Sequence, residues 1–180
     1  MSGYCDSAPG HPVHASYHDT EYGFPVSDDK VLFERLALEI MQAGLSWEIT
    51  LKKRPALFAA FEGFDPAVVT RYGEAERARL LADAGIIRNR LKIDAIIHNA
   101  GIICGMQDSH GSFGGWLDTH HPLDKAGWVK LFKKTFRFTG GEIVGEFLMS
   151  TGYLPGAHRD DCPIQALILA ANPPWRRQSR

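Results

Sequence analysis

Apolar residues recur every three or four positions in one segment after another, and nowhere do they alternate with period two long enough to build a strand. That pattern predicts an all-helical fold. Residues 1–26 are rich in Gly, Pro, His and Tyr, lack the period, and read as an irregular but ordered arm. Ser27 or Asp28 caps a helix whose apolar positions are Phe33, Leu36, Ala37, Ile40 and Met41, with Gly44 as its stop. Trp47 to Phe61 follows as a second helix, with a break or restart near Arg54 because Pro55 lies inside it. Asp65-Pro66 opens a short helix, and Glu74 to Ala84 forms another, ended by Gly85. Ile93, Ile96, Ile97, Ala100, Ile103 and Cys104 give the clearest helical stripe, reached through a short hairpin from Gly85 to Arg90. Residues 105–123 contain several glycines and read as a loop with one helical turn around Trp116. Trp128, Leu131, Phe132 and Phe136 mark a further helix, Ile143 to Ser150 another, and Cys162 to Ala171 the last.

Composition narrows what such a fold can do. A chain of 180 residues, 44% hydrophobic, fits a single domain over 1–180 that buries a core without disulfides. With 20 basic against 21 acidic residues, attraction to nucleic acid must be local, as at Lys52 to Arg54, Arg88 to Lys92, Lys130 to Arg137 and Arg176-Arg177. No run approaches membrane-spanning length, and no basic stretch leads into an apolar one at the start, so a cytoplasmic protein without a membrane span is expected. Three widely spaced cysteines make a poor disulfide framework and leave free thiols or metal ligands as the better readings.

Three constellations carry candidate chemistry. His158 and Cys162, four apart, share a face if their segment is helical; with Cys5 and His18 they would make a Cys2His2 site stapling the two ends of the chain. The alternative is a buried Cys162 and a solvated His158. Asp19 and Glu21 flank this set, and their expected use is to accept the second N–H of His18. Glu39 falls beside Leu32 and Leu36 on the flank of the apolar face. It is either an i, i+4 partner of Arg35 or a half-buried carboxylate at a pocket wall. The Gly85 to Arg90 hairpin offers backbone N–H groups near Arg88, Arg90 and Lys92, which suits a phosphate; a solvated helical corner is the other reading.

Tyr17 to Gly23 (YHDTEYG), Leu38 to Arg54 (LEIMQAGLSWEITLKKR), Ala84 to Ala100 (AGIIRNRLKIDAIIHNA) and Phe136 to Gly140 (FRFTG), followed by His158 and Cys162, together resemble the 3-methyladenine DNA glycosylase I family of the helix-hairpin-helix superfamily. The resemblance implies a helix-hairpin-helix lobe packed on a lobe made from both chain ends, with structural zinc held by Cys5, His18, His158 and Cys162. It implies that Glu39 and Tyr17 hydrogen-bond the lesion, that Trp47 stacks on it, and that His14, Tyr22 and Gln42 complete the pocket. Gly44 and Leu45 would enter the gap left in the DNA. Gly85, Ile86 and Ile87, with Arg88 and Lys92, would grip the backbone.

The implied activity is hydrolysis of the N-glycosidic bond of 3-methyladenine or a related alkylated purine in double-stranded DNA, by a monomer and by base flipping. No lysine matches a family nucleophile, so no lyase step is expected. Two departures border the implied pocket: Ser7 stands where the family has an aromatic residue, and His14 where it has a tyrosine. Gly141-Glu142 replaces a Pro-Thr pair, and Glu142 and Glu146 add negative charge near the pocket or the DNA. These departures point to the alternative, a zinc-stapled helix-hairpin-helix DNA-binding protein with a shifted lesion preference or little glycosylase activity.

Overall fold

The computed structural model describes residues 3–177, and among them every regular element is helical. The helices are α1 (Tyr4–Ser7), α2 (Ala15–Thr20), α3 (Asp29–Gln42), α4 (Trp47–Ala60), α5 (Pro66–Val69), α6 (Glu74–Ala82), α7 (Arg90–His110), α8 (Phe113–His120), α9 (Lys125–Thr135), α10 (Gly141–Ser150) and α11 (Pro163–Ala170). Single 3-10 turns lie at Glu62–Phe64 and Pro174–Arg176.

The predicted caps are the ones used. Asp28 accepts from the N–H groups of Lys30 and Val31, Asp65 from Ala67, and Gly44 turns the chain after α3 with φ 78°. Helix α3 is the axis of the molecule, packed by α4, α7, α8 and α10, and residues Leu32 to Met41 are all buried. Glu39 therefore does not flank an apolar face, because this helix has no solvent face over that stretch. The long α7 crosses it and carries the core stripe Ile93, Ile96, Ala100 and Ile103.

Several expectations need correction. The N-terminal arm holds two helices, α1 and α2, of four and six residues, too short for a helical period to register in sequence. Helix α4 runs unbroken through Pro55, whose ring lies on an exposed part of the helix where water can serve the carbonyl it leaves unbonded. The segment 105–123 is mostly helical: α7 continues to His110, Gly111 turns the chain at φ 79°, and α8 follows. Two of its glycines mark close packing. A Cβ on Gly115 would meet the His110 carbonyl oxygen at 2.4 Å, and one on Gly114 would meet that of Ser27 at 3.2 Å. That tight corner rests on Asp29, whose carboxylate accepts the Phe113 and Gly114 N–H groups at 3.0 and 3.3 Å.

Lys92 is also not the surface cation the sequence suggested. It is only 5% exposed, and its ammonium donates to the carbonyls of Met41 (2.8 Å) and Ala43 (2.6 Å), tying the start of α7 to the end of α3. Its positive charge meets the negative end of the α3 dipole there. Replacing it by Met strands two inward-facing carbonyls, a loss of about 1–3 kcal/mol. A thermal melt of Lys92→Met should fall by roughly 2–4 °C for each kcal/mol lost; an unchanged melting temperature would mean that the carbonyls find other donors.

Candidate functional site

A cavity of about 790 Å³ opens where α1, α2, α3, α4 and α10 converge. The sequence explains each wall. Gly44 lets α3 stop abruptly, Ser46 accepts the Ile49 N–H as the cap of α4, and Trp47 thereby stands at the first position of that helix. Its indole meets the Tyr17 ring edge-on at 5.1 Å, and Tyr17 in turn lies 5.8 Å from Tyr22. Of the pocket residues named from sequence, Glu39, Tyr17, Trp47, Gln42, His14 and Tyr22 all line this cavity, as do Ser7 and Gly44.

Tyr4 was not foreseen. It projects from α1 into the wall beside Ser7 and His14, with its hydroxyl 3.1 Å from His14 Nδ1 and its ring edge-on to Tyr22 at 5.4 Å. An aromatic ring thus stands where Ser7 and His14 left the wall without one. No sequence feature singled it out beyond its place next to Cys5.

Two polar groups in the cavity lack partners. The Tyr17 hydroxyl is buried and has no hydrogen-bond partner among the described residues. Glu39 is 5% exposed, and Arg35, one turn earlier, does not serve it. Arg35 instead donates to Glu21 at 3.2 Å and to the Ser150 carbonyl at 2.8 Å. Burial, then repulsion from Glu146, raises the Glu39 carboxyl to about 8, against the opposing pull of Arg35. The i, i+4 pair considered from sequence is therefore absent.

Glu21 is likewise not an orienter of His18. It bridges Arg35 and Arg54, and Arg54 also holds Glu34 at 2.7 Å, forming a charge cluster beneath Tyr17, whose ring lies 4.8 Å from the Arg35 guanidinium. Asp19 alone does what was expected of the two carboxylates, bonding His18 Nδ1 at 2.7 Å.

Behind the Tyr17–Tyr22 wall, the ligand atoms of Cys5, His18, His158 and Cys162 lie within 4.8 Å of one another. Cys162 Sγ is 3.5 Å from His158 Nδ1 and 3.9 Å from His18 Nε2, and Cys5 Sγ is 3.6 Å from His158 Nδ1. Ligands about 2.0–2.3 Å from a tetrahedral ion stand roughly 3.3–3.8 Å apart, so the spacing fits one ion. Both histidines have their far nitrogens anchored, on Asp19 and on the Tyr22 carbonyl at 2.7 Å, which leaves a lone pair facing the centre. His158 reaches this position from the loop before α11, and Cys162 caps that helix, so a shared helical face is not what brings them together. The nearby trio His11, His14 and Glu48 is less prepared. His11 Nδ1 accepts two backbone N–H groups, and Glu48 is paired with Lys52 at 2.6 Å.

The candidate DNA-facing residues divide. Gly44 and Leu45 form an exposed turn at the cavity mouth, and Gln42 braces it by donating to the Leu45 carbonyl at 3.1 Å. In the hairpin, Ile86 is core, and the N–H groups of Gly85 and Ile86 are used internally by Asp83. Arg88 is exposed and Ile87 half-buried, so these two remain available, whereas Lys92 is committed to α3.

Removing the shared anion by Glu21→Ala should destabilise the fold by about 2 kcal/mol, less than the ~3–5 of a fully buried pair because Glu21 is 30% exposed. In urea this should appear as a lower midpoint at unchanged slope; an unmoved midpoint would mean that Glu34 and water suffice for both arginines.

The methyladenine glycosylase family profile matches residues 7–125. DNA-3-methyladenine glycosylase 1 of Escherichia coli strain K12 is 46% identical over 164 residues, covering 78% of this chain and 86% of that protein. DNA-3-methyladenine glycosylase of Haemophilus influenzae is 31% identical, covering 92% and 99%. A solved structure concerned with 3-methyladenine recognition by 3-methyladenine DNA glycosylase I of Staphylococcus aureus superposes with TM-score 0.81 at 31% identity, covering 90% and 97%.

Proposed function

The chain belongs to the methyladenine glycosylase family, and on that premise we propose that it is a monofunctional DNA-3-methyladenine glycosylase. It hydrolyses the N-glycosidic bond of 3-methyladenine in alkylated double-stranded DNA. The observation that carries this reading is Glu39, a carboxylate with no hydrogen-bond or ion-pair partner among the described residues, buried in an aromatic-walled cavity beside the Tyr17 hydroxyl, which likewise has none.

Methylation at N3 makes the base a cation while it is bound to the sugar. An everted cationic base between Trp47 and the tyrosines supplies the charge that Glu39 lacks and favours its ionised form. Tyr17 gives the base a hydrogen bond, and Gly44 and Leu45 fill the space that the base leaves. Water adds to the sugar C1′ as the C1′–N9 bond breaks. The bonding electrons pass to the base, which departs neutral, and the proton lost from water goes to solvent. Because the leaving group already carries positive charge, the carboxylate stabilises and selects rather than protonates.

Around the site, Cys5, His18, His158 and Cys162 hold a structural zinc ion, joining α1 and α2 to the loop before α11. These ends form one lobe on a helix-hairpin-helix lobe, where α6, the 83–89 turn and α7 supply the hairpin and Arg88 meets phosphate. A DNA binder without glycosylase activity is the weaker reading, because Tyr4 occupies the wall that Ser7 and His14 left incomplete.

Chromatography of free bases released from methylated DNA tests the assignment. Glu39→Gln is expected to lose about 100-fold or more in 3-methyladenine release while keeping its fold. Release at the wild-type rate would remove Glu39 from the mechanism, and no release by the wild type would sink the glycosylase. Metal analysis should give about one zinc ion per chain, lost together with thermal stability in Cys162→Ser; a metal-free, fully stable wild type would overturn the staple.

A further inference from the structure

The cavity holds a second carboxylate that the chemistry above leaves unused. Glu146, on α10, lines the same space as Glu39, and its Oε2 accepts the Tyr22 hydroxyl at 3.0 Å. A neutral donor therefore fixes its position without cancelling its charge. Among the described residues, no lysine or arginine lines the cavity. Lys125, at the start of α9, reaches toward the exposed Glu142 at 3.9 Å and lies across Gly145.

We infer that Glu146 is a specificity-determining residue that forms a carboxyl pair with Glu39: the pair keeps one proton while the pocket is empty and releases it when a positively charged base enters. The pocket thereby favours N-alkylated purine cations over neutral bases more strongly than one carboxylate would allow. This rests on the proposed use of the cavity as the base pocket.

The surroundings leave the proton with the pair. Around Glu39, α2 and the turn after it present Tyr17 and Tyr22, both held neutral chiefly by burial, and α1 presents Tyr4, pushed up to about 12 for the same reason. Burial and then His11 lower His14, so it is neutral at the cavity rim at pH 7. On α3 itself Arg35 is paired with Glu21, and its pull on Glu39 is outweighed by burial and by Glu146; α4 contributes the uncharged Trp47; the ammonium of Lys92, from α7, is bound at Met41 and Ala43. Glu142 lies at the exposed lip of α10. Two carboxylates that line one cavity and are each partly stripped of water resist joint ionisation, and their protons belong to the pair. Burial raises Glu146 as it raises Glu39, the latter to about 8. An incoming cation reverses the preference. Affinity for a cation therefore rises with pH toward about 8 and then levels, whereas affinity for a neutral analogue stays flat.

Titration calorimetry with 3,9-dimethyladeninium, a permanent cation, and with neutral 9-methyladenine, in buffers of different ionisation enthalpy, tests this. The wild type should release close to one proton per cation bound at about pH 7. Glu146→Gln keeps an oxygen for the Tyr22 hydroxyl and should bind the cation roughly tenfold more weakly at about pH 9, the scale of one pKa unit. Its pH midpoint should move down, with fewer protons released at neutrality and 9-methyladenine binding unchanged. Equal cation affinity and an unmoved midpoint would overturn the pair. Failure of the wild type to bind the cation at all would overturn both the pair and the base pocket. Base release from methylated DNA, measured alongside, reports on the glycosylase separately: normal release without the Glu146 effect rejects the pair and keeps the enzyme.

Discussion

Helix α3 is buried along ten consecutive residues, and three of them, Glu34, Arg35 and Glu39, are ionisable. A charge removed from water must be matched nearby or give up its ionisation. Glu34 is matched by Arg54, and Arg35 by Glu21 and a main-chain carbonyl. Glu39 is the exception, and the aromatic cavity opens at that exception. The molecule thus places an unsettled carboxylate at the centre of a folded chain while its neighbours on the same helix are settled by partners from α4 and from the end of α2.

That arrangement needs the chain ends held in place. The wall formed by Tyr4, Tyr17 and Tyr22 comes from segments that bury little apolar surface of their own, with Ala8, Tyr17 and Tyr22 the main exceptions. The Cys5, His18, His158 and Cys162 cluster stands directly behind this wall. Tyr22 belongs to both, because its carbonyl anchors His158 while its hydroxyl holds Glu146. The geometry of the pocket and that of the cluster are consequently coupled through one residue.

Much of the architecture is written in local patterns. Asp28, Asp65 and Gly44 declare helix ends through their own chemistry, and α7 repeats its apolar stripe long enough to be unmistakable. What escapes is decided by distant partners. Gly114 and Gly115 look like loop residues until the carbonyls that press on them are seen. Lys92 reads as surface charge because sequence gives its sign and not its burial. Glu21 sits beside Asp19 in the chain yet lies against α3 and α4, while Asp19 turns to His18. The pocket residues Tyr17, Glu39 and Trp47 were legible through family resemblance, whereas Tyr4 belongs to a helix too short to show any period.

The bond from Lys92 to the end of α3 has a mechanical side. One ammonium joins the helix that follows the hairpin to the two carbonyls just before the Gly44-Leu45 turn. The two surfaces proposed to meet DNA are therefore fixed at a set separation, like the jaws of a gauge. On the proposed reading, a bridge of this kind leaves the duplex, rather than the turn and the helix it joins, to adjust on binding. The deformation cost would then fall on the nucleic acid, and sites whose stacking is already weakened would be the cheapest to engage.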